Sequence, residues 1–149
     1  ANLDTDTIVN SLFPHVGECS KIVFACNKSL VRGKWTAYAA AACLEPLGLT
    51  KVGLLIGGLN GMKGQEHDIR VIAESRQRLL SPRIEKVSTL GGYNRLLVVC
   101  TLMETRFLEI GEVEKIVGTT VKIIDQGTIS LILATVEQLI QLGDPYSDE

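Results

Sequence analysis

A chain of 149 residues, 46% hydrophobic and 21% charged, is too apolar for disorder and long enough to bury one domain core without a disulfide or structural metal. No apolar run reaches the roughly 18 to 20 residues that a membrane-spanning helix needs, so no membrane partner is expected. The formal charge of −2 divides unevenly: residues 1–100 carry 12 Lys/Arg against 8 Asp/Glu (+4), and residues 101–149 carry 3 against 9 (−6), a polarity that could orient partner contacts.

The opening stretch 1–6 is polar and acidic and, like 144–149, is expected to fray, with 1–149 forming a single soluble globular domain. Lys21 to Asn27 is a continuous apolar run between turn formers, the pattern of a strand buried on both faces. Trp35 to Leu44 is alanine-rich and stopped by Pro46, which predicts a helix smooth enough to pack closely on a sheet. Lys51 to Gly58 predicts a second buried strand, and the spacing of Ile69, Ile72 and Leu79-Leu80 predicts a second helix over Glu66 to Leu80.

Beyond Pro82, Ile84 to Leu90 and Arg95 to Met103 read as two strands, or the latter as the start of a long helix. Thr120 to Ile124 is a short β-branched strand, and Thr128 is positioned to cap a helix running to Leu142. This alternation predicts an α/β fold with a mainly parallel sheet and helices on both faces. The alternative is an all-α bundle, with Val52–Met62, Leu96–Phe107 and Ile110–Ile124 as buried helices.

Two loops carry the candidate site. Gly57-Gly58-Leu59-Asn60-Gly61-Met62-Lys63-Gly64 follows a strand and precedes the expected helix, where glycines let backbone amides approach an anion and Lys63 adds a charge. It matches neither GxGxxG nor GxxxxGK[ST]. Asn27 to Lys34 would open on the same sheet edge, with Lys28, Arg32 and Lys34 beside a helix N-terminus. Asn27, Lys28, Lys34, Gly57, Gly58, Asn60, Gly61, Lys63 and His67 are the candidate ligand-binding residues.

His67, beside Lys63, Glu66 and Asp68, is the one position where an acid-base group would meet that pocket. Neither His15 nor His67 has a metal-ligand spacing, and no metal site is expected. No serine sits in a GxSxG elbow. Of the four cysteines, Cys26, Cys43 and Cys100 lie in apolar runs and are expected to be inert hydrophobes; reduced thiols suit a cytoplasmic setting. Ile22 through Gly48 loosely resembles the opening strand, Gly-Lys loop and alanine-rich helix of the type-2 peptidyl-tRNA hydrolase-like superfamily. Leu54 to Gly61 similarly resembles the glycine loop of knotted RNA methyltransferases. Each resemblance covers less than a fifth of the chain and carries no activity across.

Arg70, Arg76, Arg78, Arg83, Lys86 and Arg95, with Trp35, Tyr38 and Tyr93, supply cations and stacking rings, but Glu66, Asp68, Glu74 and Glu85 are interleaved and a pI near 5.7 disfavours nucleic acid as the partner. The segment Thr128–Leu142 is apolar on more than one helical face, which suggests a homo-oligomer. The function these features predict is a small binding protein taking an anion or nucleotide-type ligand, a phosphate-bearing small molecule, at the glycine-rich strand–helix loops. The cofactor is undetermined. The alternatives are a small enzyme acting on a phosphate-bearing or RNA-derived substrate, with His67, Lys63 and Lys34 as its polar groups, and a structural or viral-type assembly protein.

Overall fold

A computed structural model describes residues 4–29, 31–62, 66–100 and 109–141, the last five by backbone alone. Its six-stranded sheet has the order β4-β3-β2-β1-β5-β6, built from β1 (Lys21–Ala25), β2 (Lys51–Leu55), β3 (His67–Glu74), β4 (Gln77–Val87), β5 (Arg95–Val99) and β6 (Thr120–Ile124). Pairs β1/β2, β1/β5 and β5/β6 are parallel; β2/β3 and β3/β4 are antiparallel. Among the described residues five α-helices accompany it: α1 (Thr5–Val16), α2 (Arg32–Ala41), α3 (Leu44–Leu47), α4 (Ile110–Val117) and α5 (Gln126–Gln141). The fold is α/β, and no bundle forms.

Strand pleating divides the core in two. Ile22 and Phe24 of β1, Leu97 and Val99 of β5, and Val52 and Leu54 of β2 point to the face covered by α1, α2, α3 and α5. Val23, Ala25, Leu96, Val98 and Leu55 point to the other, covered by Val113 and Val117 of α4 and by Leu90 and Tyr93. Because both faces are buried, these strands read as solid apolar runs. Helix α2 is buried from Gly33 to Ala41, between the sheet and the outer helices, and its alanines fit where larger side chains would collide.

Several expectations need correction. The helix predicted over Glu66 to Leu80 is instead the β3–β4 hairpin, closed at Ser75 and Arg76, whose φ angles of 55° and 63° make a two-residue turn without the usual glycine. Opposite Ile72, Leu79 to Pro82 interrupt the β3/β4 register, so Pro82 sits inside a strand, an edge strand, where its missing N–H leaves no ladder bond unmade. The alanine helix begins at Arg32, three residues early, and Pro46 lies within the short α3.

Residues 1–3 lie outside the described residues, and Asp4 caps α1 by accepting from the Thr7 amide. Asp125, not Thr128, caps α5, its Oδ1 accepting from Thr128 N (2.8 Å) and its Oδ2 from Thr128 Oγ1 (2.7 Å). Residues 144–149 lie outside the described residues. Among the described residues no helix is long and apolar enough to cross a membrane.

Asp125 also stands 3.4 Å from Nε2 of His15. Burial and the nearby Lys122 ammonium hold this imidazole below its ordinary pKa, against the pull of Asp125. The unfolded chain therefore takes up this proton first as pH falls below the ordinary imidazole range, and stability drops. Urea denaturation of wild type should show a declining unfolding free energy from about pH 7 to about pH 5, a slope that His15→Gln flattens. Asp125→Ala should lose about 1 kcal/mol at neutral pH through the cap alone.

Candidate functional site

Strand order reverses between β1 and β5: the chain leaves β1 for β2 on one side and later returns to β5 on the other. Open α/β sheets bind ligands beyond the carboxyl ends of the strands at such a switch point. Here that edge holds the loop from Cys26 to Val31, the start of α2, and the turn from Ile56 to Gly61.

The two loops meet. Leu59 N donates to the carbonyl of Cys26 at 3.0 Å and Asn60 N to that of Asn27 at 2.9 Å. This contact requires Gly58: its φ is +62°, and a Cβ there would stand 2.3 Å from the Cys26 oxygen and 2.5 Å from the Asn27 oxygen. Gly58 N and Gly61 N donate within their own turn, to Leu55 O and Gly57 O. The glycine turn thus spends the amides of Gly58, Leu59, Asn60 and Gly61 on the protein and buttresses its neighbour rather than offering those amides to an anion.

The neighbouring loop is built differently. Helix α2 begins at Val31 with no side-chain cap, unlike α1 and α5. In its first turn Gly33 N donates to Sγ of Cys26 at 3.2 Å. A Cβ on Gly33 would lie 2.9 Å from Cys26 N, so this approach too needs glycine. Ser29, at φ 57°, adopts the left-handed backbone that a non-glycine residue rarely takes. Ser29 is only 5% exposed, and its hydroxyl oxygen is buried with no hydrogen-bond partner among the described residues.

The cations are placed around this loop. Arg32 Nε donates to the carbonyl of Val99 at the end of β5 (3.4 Å), which ties the guanidinium across the switch point. Lys28 is exposed on the loop; Lys34 is buried in the first turn of α2, its ammonium 5.5 Å from the Trp35 ring centre. Asn27 is half-buried, its Oδ1 3.9 Å from Cys100 Sγ. Gly57, Asn60 and Gly61 are exposed on the buttressing turn, and Lys63 lies outside the described residues.

His67 is separate. It opens β3 in register with Val87 and, two residues before Ile69 and four before Val71, shares their face of the sheet, opposite α2. The structure therefore does not join His67 to Lys34 in one pocket. Its imidazole is 3% exposed with Nε2 unpartnered.

Two of the central cations, Arg83 and Lys86, are paired with interleaved acids. Glu85 accepts from Lys51 (3.0 Å), Arg83 (3.3 Å) and Tyr93 (3.1 Å), Arg83 also pairs with Glu74, and Lys86 lies 3.3 Å from Asp68. These cations hold the Glu85 carboxyl below its ordinary range against the opposing effect of burial, which is the largest single influence on it; burial, with Glu85 beside it, pushes the Tyr93 phenol far up. A groove of about 600 Å³ also separates α1 from α5, with Ser11, His15, Asp125 and Leu131 among its walls. Both Asp125 oxygens are committed there to the helix cap.

Sequence reasoning missed Cys26 and Ser29 as site residues. The available signal was a Cys-x5-Arg spacing, Cys26 to Arg32, running from a strand end into a helix start. The chain matches no protein-family model, no curated protein and no solved structure.

Gly58→Ala should cost about 3 kcal/mol, because it adds both a left-handed backbone penalty and a collision with two carbonyls, whereas Gly57→Ala, with no close neighbour, should cost about 1 kcal/mol; urea denaturation distinguishes them.

Proposed function

We propose that this is an oxyanion-binding protein whose ligand, a phosphate-bearing small molecule, seats on the β1–α2 loop at the switch point between β1 and β5. The observation that carries the reading is the uncapped N-terminus of α2, which meets the end of β1 with its Gly33 amide on Cys26 Sγ. Helix N-termini favour anions through their unpaired N–H groups and partial positive charge. Arg32 and Lys28 add full charges suited to phosphate oxygens, with Arg32 able to bind two at once. Gly57, Gly58, Asn60 and Gly61 serve the site by holding the loop in shape. Self-association belongs to the same reading, with Phe13 and Leu131, each about half exposed, as apolar surface.

Thermal unfolding with inorganic phosphate, nucleotides and phosphorylated metabolites tests it. A ligand at a hundredfold excess over its dissociation constant should stabilise wild type by about 2.7 kcal/mol. Arg32→Ala should lose that gain and Lys115→Ala, on exposed α4, should keep it. No gain with any of these ligands would refute the reading.

A further inference from the structure

Cys26 is the group that oxyanion binding leaves without a role. It ends β1, the strand flanking the switch point, and its residue is 4% exposed. Its sulfur accepts the Gly33 amide at the N-terminus of α2. The sulfur thus faces a main-chain donor at a helix N-terminus, a setting that suits a cysteine nucleophile acting on an anionic group. The hydrogen bond ties Gly33 back to Cys26, and in the sequence between them lies Ser29, whose buried hydroxyl has no partner among the described residues. Arg32, the sixth residue after the cysteine, is tied to Val99 on the adjoining strand. A thiol, a helix N-terminal amide, a buried hydroxyl and a guanidinium, from Cys26, Gly33, Ser29 and Arg32, thus gather between a buried strand and a buried helix.

Cys43, the comparison within the chain, has no such setting: it sits between α2 and α3, its nearest polar neighbour is the Thr5 carbonyl at 3.9 Å, and burial pushes its thiol up.

We infer that Cys26 is a phosphoryl-accepting nucleophile and that the protein hydrolyses phosphate monoesters. This rests on the oxyanion reading of the same loop. In the first step the Cys26 thiolate attacks phosphorus, an S–P bond forms, and the ester P–O bond breaks; the leaving oxygen keeps the electron pair and takes a proton from solvent. In the second, water attacks the phosphorus, the S–P bond breaks, and the sulfur departs as thiolate. Water's surplus proton returns to solvent, so the products are the alcohol and inorganic phosphate. Arg32 and the loop amides meet the charge that gathers on the phosphoryl oxygens as it passes between the two. The Ser29 hydroxyl donates to the sulfur as it leaves or to a phosphoryl oxygen, which gives that buried group its partner.

The test uses p-nitrophenyl phosphate, whose leaving group needs no proton. Wild type and Cys43→Ser should release p-nitrophenolate, and quenched wild type should carry one phosphoryl group on the peptide containing Cys26. Cys26→Ser should lose turnover by at least about a thousandfold while retaining the thermal shift with inorganic phosphate. Should Cys26→Ser not fold, iodoacetate on wild type replaces it: Cys26 should be alkylated before Cys19, Cys43 and Cys100, and inorganic phosphate should slow that reaction. A phosphate shift in wild type with neither turnover nor adduct overturns the nucleophile and leaves oxyanion binding standing; absence of the shift overturns both. Turnover that survives Cys26→Ser, or alkylation indifferent to phosphate, also overturns the assignment.

Discussion

The carbonyls of Cys26 and Asn27 accept the amides of Leu59 and Asn60, and they do so because Gly58 has no Cβ to stand between them. On the other side of the same residues Gly33 brings the first turn of α2 against Cys26, again where a Cβ has no room. Two glycines from separate parts of the chain therefore press one strand end from both sides. Everything at the switch point depends on that compression: it fixes where α2 starts, it places the Gly33 amide on sulfur, and it holds Ser29 in a left-handed backbone that the segment would not adopt by itself.

Side-chain caps are present at the N-termini of α1 and α5 and absent from those of α2, α3 and α4. Asp4 and Asp125 place carboxylates on α1 and α5, each taking a threonine amide three residues on. Helix α2 has no such side chain and gives one amide to a thiol. A carboxylate cap fills the place an anionic ligand would take; a sulfur leaves most of the turn's positive potential facing outward. In the groove between α1 and α5 the Asp125 carboxylate already occupies the helix N-terminus, which leaves no place there for a second anion.

The second face of the sheet is occupied by structure. Gly53 makes room for Ile69 and the Tyr93 ring, and Lys51 lies 4.9 Å from that ring's centre while pairing with Glu85. The connection from β4 to β5 crosses this face without a helix, and Leu90 and Tyr93 bury it. Of the cations on β4, Arg83 pairs with Glu74 and Glu85, Lys86 with Asp68, and Arg78 lies over the Tyr38 ring.

Strands β1, β2 and β6, helices α2 and α5, and the α/β class were legible in the sequence, because solid apolar runs and an alanine-rich segment carry their burial in their composition. The convergence of the loops 27–34 and 57–64 followed from the class alone. The hairpin of β3 and β4 was not legible: its buried residues also fit a helical period, and Ser75-Arg76 lacks a glycine to mark the turn. That hairpin puts His67 on the face away from α2, so the strand pairing, not the local sequence, decided which acid-base group the site excludes. The division of labour between the loops was likewise tertiary. Glycines that read as an anion cradle became a buttress once their neighbours' amides met the carbonyls of Cys26 and Asn27. A cysteine that composition places in the core accepts the first-turn amide of a helix, because only the packed fold sets the end of β1 against the start of α2 and so decides what its sulfur touches.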